Sequence, residues 1–175
     1  MGKRRPITRL LAVAAAVPLT VAAVALASGG DNAKPHTPSS SPPRGGGKTL
    51  FRSFLAPSQP NDPSFHDVVA GMNAWQLDRG DVRLKRNGRF RLVVRGLVLT
   101  SSGDPGAVTT VDASLYCGAD STTAPADTTD QVPISSKGDA HIRDKLTLPS
   151  TCLAPVVLVH PNGDTDHYIA VDGFR

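Results

Sequence analysis

Asn87-Gly88 stands between two short runs in which apolar and charged side chains alternate. Before it, Val82 and Leu84 alternate with Asp81, Arg83 and Lys85; after it, Phe90, Leu92 and Val94 alternate with Arg89, Arg91 and Arg95. A period of two places the apolar set on one face of a strand and the charged set on the other. Asn-Gly suits the two positive-φ positions of a type I′ turn, so the runs are expected to fold back as an antiparallel hairpin. An isolated hairpin is marginal in water. This one needs partner strands to bury its apolar face.

The chain offers such partners at short intervals. Phe51 leads a first strand into a Pro-rich loop, Pro57 to Pro63. Phe65 to Met72 reads as a helical turn or a strand. Val108 to Cys117 places Val111, Ala113 and Leu115 on one face. Ala119 to Gln131 is small, polar and without period, and reads as a loop. Val132 to Ser135 suits a short edge strand, since Pro133 lacks a donor. Ala140 to Leu148 turns Ala140, Ile142, Leu146 and Leu148 inward, with Asp144 out of pattern. Leu153 to Val159 is nearly all apolar, as a central strand would be. Asn162-Gly163 opens a turn, and His167 to Val171 returns as the last strand. All 15 acidic residues are Asp, and with 16 Gly and 15 Pro this argues against a helical domain. The expected fold is all-β, an antiparallel β-sandwich of about seven to nine strands.

The first 27 residues carry a basic start (Lys3, Arg4, Arg5, Arg9), an apolar run from Leu10 to Leu26, and small residues at Ala25 and Ala27. That is the pattern of an export signal. The run is short and weakly hydrophobic for a membrane span and carries Pro18, so cleavage after Ala27 is expected rather than an anchor. N-terminal sequencing of exported protein should start near Ser28; an intact Met1 in the membrane fraction would establish the anchor instead. Arg4-Arg5 leaves the twin-arginine route open, although its flanking residues fit that signal poorly. Residues 28–47, rich in Gly, Ser and Pro, read as a disordered linker that includes His36. The folded domain is expected over 48–175, without stable membrane insertion once the signal is removed. In an exported chain the only two cysteines, Cys117 and Cys152, are expected to pair. A two-cysteine metal site is the alternative.

Loss of the signal takes the formal net charge from +4 to zero. The high isoelectric point is therefore no argument for nucleic-acid binding. Within the domain the charges separate. Residues 78–95 carry Arg79, Arg83, Lys85, Arg86, Arg89, Arg91 and Arg95 against Asp78 and Asp81. Residues 104–172 carry ten Asp against Lys137, Arg143 and Lys145. Arg83, Lys85, Arg89 and Arg91 are the candidate binding face, suited to an anionic cell-wall polymer or an acidic glycan. The plainer account is a solvated face whose charges guard a sheet edge. Nucleic acid is not expected, because Phe90 points to the opposite face and no aromatics are interleaved.

His160, Asp164, Asp166 and His167 form the densest ligand-like segment, and two imidazoles with a carboxylate could hold zinc or copper. The plainer account is a polar turn. The segment lacks the pattern of an EF-hand. A hydrolase has little support: there is no Gly-x-Ser-x-Gly elbow, Ser101-Ser102 has no local partner, and no pair of Asp residues is favoured by spacing. Trp75 and Tyr168 read as core or rim residues rather than a sugar platform. No cofactor is implied.

Trp75-Gln-Leu-Asp-Arg-Gly80, Val94-Arg-Gly-Leu97, Ala113-Ser-Leu-Tyr-Cys117, Gly138-Asp-Ala140, Leu148-Pro-Ser-Thr-Cys152 and Ala154-Pro-Val-Val-Leu158 resemble small secreted actinobacterial proteins of unassigned function. A fainter similarity is to CHRD-type β-sandwich domains, although His141-Ile-Arg143 does not match their paired-histidine segment. The resemblance implies a fold and no active site. The expectation is thus a secreted, non-catalytic binding or structural protein of the cell envelope. The alternatives are an extracellular metal-binding protein using His160 and His167, and a small secreted hydrolase.

Overall fold

The computed structural model describes residues 47–118 and 123–173. The signal read over 1–27 and nearly all of the linker over 28–47 lie outside these residues. In chain order the strands are β1 (Thr49–Pro57), β2 (Val69–Ala70), β3 (Trp75–Gln76), β4 (Arg79–Lys85), β5 (Arg89–Arg95), β6 (Val98–Leu99), β7 (Thr110–Tyr116), β8 (Asp127–Thr128), β9 (Val132–Pro133), β10 (Ala140–Lys145), β11 (Val156–Pro161), β12 (His167–Tyr168) and β13 (Ala170–Asp172). No helix occurs among the described residues.

Nine strands form one antiparallel sheet in the order β10-β5-β4-β1-β13-β11-β7-β8, with β9 also on β7. The sheet curls because β1 changes partner midway. Its first half, to Phe54, pairs with β4; its last residues, Leu55 to Pro57, pair with β13. The two halves then face each other. Val82, Leu84, Leu92, Val94 and Ile142 from one half pack in the same buried cluster as Val111, Ala113, Leu115, Val157 and Val159 from the other. The nine-stranded sheet matches the upper end of the expected count. The four extra strands are two-residue ribbons, β12 with β2 and β3 with β6, too short to leave a period in the sequence.

The hairpin forms as expected, but its turn differs. Gly88 has φ +82°, whereas Asn87 is not in the positive region. The Gly88 N–H donates to the Lys85 carbonyl at 2.9 Å. This is a three-residue connection, a type I turn closed by glycine. Glycine is required there twice over, because a Cβ would lie 2.1 Å from the Leu146 carbonyl oxygen. The type I′ pattern occurs instead at Asn162 (φ 53°) and Gly163 (φ 76°). The Asn162 side chain braces that turn: Oδ1 accepts from the Thr109 and Thr110 N–H groups at 2.9 and 3.1 Å.

Three boundaries depart from the sequence reading. The segment read as a loop from Ala119 to Gln131 contains β8, with residues 119–122 outside the description. β8 and β9 line the edge of β7, and between them Thr129 substitutes its hydroxyl for a backbone acceptor, taking the Ala113 N–H at 3.0 Å. Such a polar edge needs no apolar alternation. The apolar run from Leu153 enters β11 only at Val156, because Ala154 has φ 43° and Pro155 lacks a donor. The last strand is broken at Ile169 into β12 and β13, which serve different neighbours.

The second half of the sheet has a smaller cluster on its outer side. Val68, Tyr116, Leu158, Tyr168 and Val171 are buried there under the 59–74 segment, and the Tyr168 hydroxyl donates to the Pro63 carbonyl at 2.7 Å. Trp75 and Tyr168 are both buried and face no solvent. Cys117 and Cys152 form a disulfide, closing a separation of 35 residues.

Candidate basic sheet face

The outer side of the β10-β5-β4-β1 half is built by alternation. Because Val82, Leu84, Phe90, Leu92, Val94 and Ile142 are drawn inward, the residues between them are pushed out. Register then decides which of these meet. Arg52 lies opposite Arg83, Arg83 opposite Arg91, and Arg91 opposite Arg143. Four exposed arginines therefore form one row across four adjacent strands. Beside it, Lys85 on β4 and the Arg89–Lys145 pair continue the charge toward the turn. On the other side the next row holds Phe54, Asp81, Val93 and His141, and beyond it Arg79 faces Arg95.

On this face Arg79 Nε pairs with Asp81 at 2.5 Å. Arg83 donates to the Thr49 hydroxyl at 2.9 Å. Arg143 Nε donates to His141 Nε2 at 3.1 Å, so this imidazole serves as an acceptor. The His141 pKa is held below the ordinary value, first by desolvation and then by the charges of Arg143 and Arg91. Two troughs flank the arginine row. One of about 790 Å³ lies toward Lys85, Arg89 and Lys145; another of about 360 Å³ runs over Val93 between the row and Arg79 and Arg95.

The predicted residues Arg83, Lys85, Arg89 and Arg91 do share this face. Sequence reasoning missed Arg52 and Arg143, which extend the row at both ends. Alternation along Ala140 to Leu148 already turned Arg143 outward, but nothing local says that β10 lies beside β5. It also missed Phe54, 70% exposed on the same face as Arg52. Edge protection accounts for Arg143 and Lys145, since β10 is the sheet's edge. It does not account for Arg83, Lys85, Arg89 and Arg91, which stand on interior strands.

The histidine segment is arranged otherwise. His167 Nδ1 meets Asp164 Oδ2 at 2.9 Å, but His160 is fully buried and its Nδ1 donates to the His167 backbone carbonyl at 2.8 Å. Asp164 Oδ1 accepts from the Asp166 N–H, which makes the segment a braced turn. Among the described residues no group of three or more His, Cys, Asp or Glu side chains is placed to hold a metal ion. Asp112 lies directly opposite His160 on β7 and is also buried, yet His160 Nε2 and Asp112 Oδ1 are left without a hydrogen-bond partner. Burial pushes the Asp112 carboxyl up; His160 and the Gly163 N–H pull it back. Asp112 drew no attention in the sequence because it sits among apolar neighbours in an outward position. The outer cluster that buries that position comes from distant segments. Ser102, read as unpartnered, has its hydroxyl 3.0 Å from Asp104 Oδ1.

Comparison with protein-family models, curated proteins and solved structures gives no match for this chain.

Proposed function

We propose that this domain is a secreted, non-catalytic module that binds an extended anionic polymer of the cell envelope on its basic sheet face. The observation that carries the reading is the row Arg52–Arg83–Arg91–Arg143. Like charges directly opposite one another destabilise a sheet. A bound polyanion offsets that repulsion. Arginine suits this role, because its planar fork takes carboxylate or phosphate through two hydrogen bonds. The disulfide fits an oxidising compartment, and no helix of the described residues is long and apolar enough to cross a membrane.

The test has two readouts. Adhesion to isolated anionic wall polymer should fall roughly tenfold to a hundredfold between 50 and 200 mM salt. Binding should also shift the His141 ring resonances in NMR spectra, because that imidazole accepts a hydrogen bond from Arg143 within the row. The double variant Arg83→Gln, Arg91→Gln should lose adhesion while melting at the same or a higher temperature. No adhesion at low salt, or adhesion unchanged in the variant, would overturn the reading.

A further inference from the structure

The arginine row has a direction, a spacing and an unlike margin. It runs across the strands, so its charges repeat at the strand separation of about 4.8 Å and span roughly 15 Å from β1 to β10. Along a strand, same-face positions repeat at a longer interval, about 6.7 Å. On one margin the next row departs from the basic pattern. Phe54 there is a large exposed aromatic, Val93 is half-buried, His141 accepts a hydrogen bond from Arg143, and Asp81 is taken by Arg79. The face is therefore two-sided: a line of planar cations bordered by a strip with an aromatic ring at one end and little net charge.

A polymer of bare phosphates has no use for that strip. A polysaccharide does, because each sugar has an apolar C–H face and polar edges. Aromatic rings take such faces while arginine forks take the carboxylates at the edge. We infer that the ligand is an acidic polysaccharide lying perpendicular to the strands, with successive carboxylates on Arg52, Arg83, Arg91 and Arg143 and a sugar face against Phe54. This rests on the polyanion reading above and narrows it to one chemistry and one orientation.

The experiment is a binding series with the intact protein, using polygalacturonate and its oligomers against inorganic polyphosphate at matched charge and salt. Affinity for the oligomers should climb steeply up to about four acid groups, one per strand of the row, and level off beyond. Arg52→Gln and Arg143→Gln, at opposite ends of the row, should each weaken polygalacturonate about tenfold, whereas Lys137→Gln, outside the face, should not. Phe54→Ser should weaken polygalacturonate severalfold and leave polyphosphate unchanged. Unaltered melting curves would show that these exposed variants fold. Preferential binding of polyphosphate, or indifference to Phe54→Ser, would overturn the polysaccharide. Dependence on Arg83 and Arg91 with no dependence on Arg52 and Arg143 would overturn the crosswise orientation. In each of those cases the polyanion reading still stands; failure of both polymers to bind at low salt would remove it as well.

Discussion

Reducing the Cys117–Cys152 disulfide should lower stability by about 3–4 kcal/mol, the loop-closure value for a separation of 35 residues. The bond joins the end of β7 to the approach to β11, which are already paired: Tyr116 lies opposite Val156, and the Gly118 N–H donates to the Leu153 carbonyl at 2.7 Å. The closed loop is what matters. It carries β8 and β9 along the edge of β7, crosses to the other half of the sheet as β10, and returns. β10 is held there by its ladder to β5, by Leu146, whose N–H donates to the Gly88 carbonyl, by Ala140 and Ile142 in the core, and by Asp144, which accepts the Asp130 N–H. Denaturant unfolding of the native protein and of the Cys117→Ser, Cys152→Ser variant measures the difference. A loss well below 1 kcal/mol would mean that the unfolded loop is already constrained. Because β10 bears Arg143 and Lys145, the reduced protein should also bind anionic polymer more weakly before it unfolds globally. That coupling would separate an ordered row from a mere excess of charge.

Local chemistry makes much of this fold legible in the sequence. Alternation around Asn87-Gly88 identified β4 and β5 and the outward set of each, because period two is a property of one strand alone. Pairing is not. Arg52 and Arg143 belong to the same row only because β1 and β10 flank the hairpin, and they are separated from it by about 30 and 50 residues of chain. No pattern within a window of ten residues encodes that adjacency. The turn at residues 86–88 was misjudged for a related reason. Asn-Gly suits a type I′ turn, but here the glycine must also accept Leu146 from the strand end beside it, and tertiary contact chose the turn. His160 shows a different limit. It would meet His167 across a hairpin if Val159 and Tyr168 paired, but Val159 pairs with Ala170 and His167 with Val69. His160, on a strand covered on both sides, faces Asp112 and a backbone carbonyl. Burial on a central strand thus takes this histidine away from solvent, with Nδ1 bonded and Nε2 left without a hydrogen-bond partner.

Replacing Asp172 by Asn should stabilise the protein at pH 8 and make little difference below pH 4. Asp172 ends β13 where β1 passes from one half of the sheet to the other: it lies opposite Leu55, accepts the Val157 N–H at 2.5 Å, and is hydrogen-bonded by Ser53. Burial raises its carboxyl from the usual 3.8 to about 6, more than the hydrogen bonds from Val157, its own backbone and Ser53 lower it. The folded protein thus holds this proton more tightly than the unfolded chain. Its contribution is fully present below pH 3.8 and is lost as pH rises through about 6. A shift of that size corresponds to at most about 3 kcal/mol by pH 8. Asparagine keeps an oxygen for Val157 and carries no charge, so it should recover about 1–3 kcal/mol at high pH. Melting temperatures across pH 4 to 8 for both proteins are the measurement. The wild type should decline relative to the variant between pH 4 and 7 and run parallel to it above. A variant that is less stable at pH 8 would show that the carboxylate is favourably solvated in the fold. The site where β1 changes partners would then be held by its charge rather than despite it.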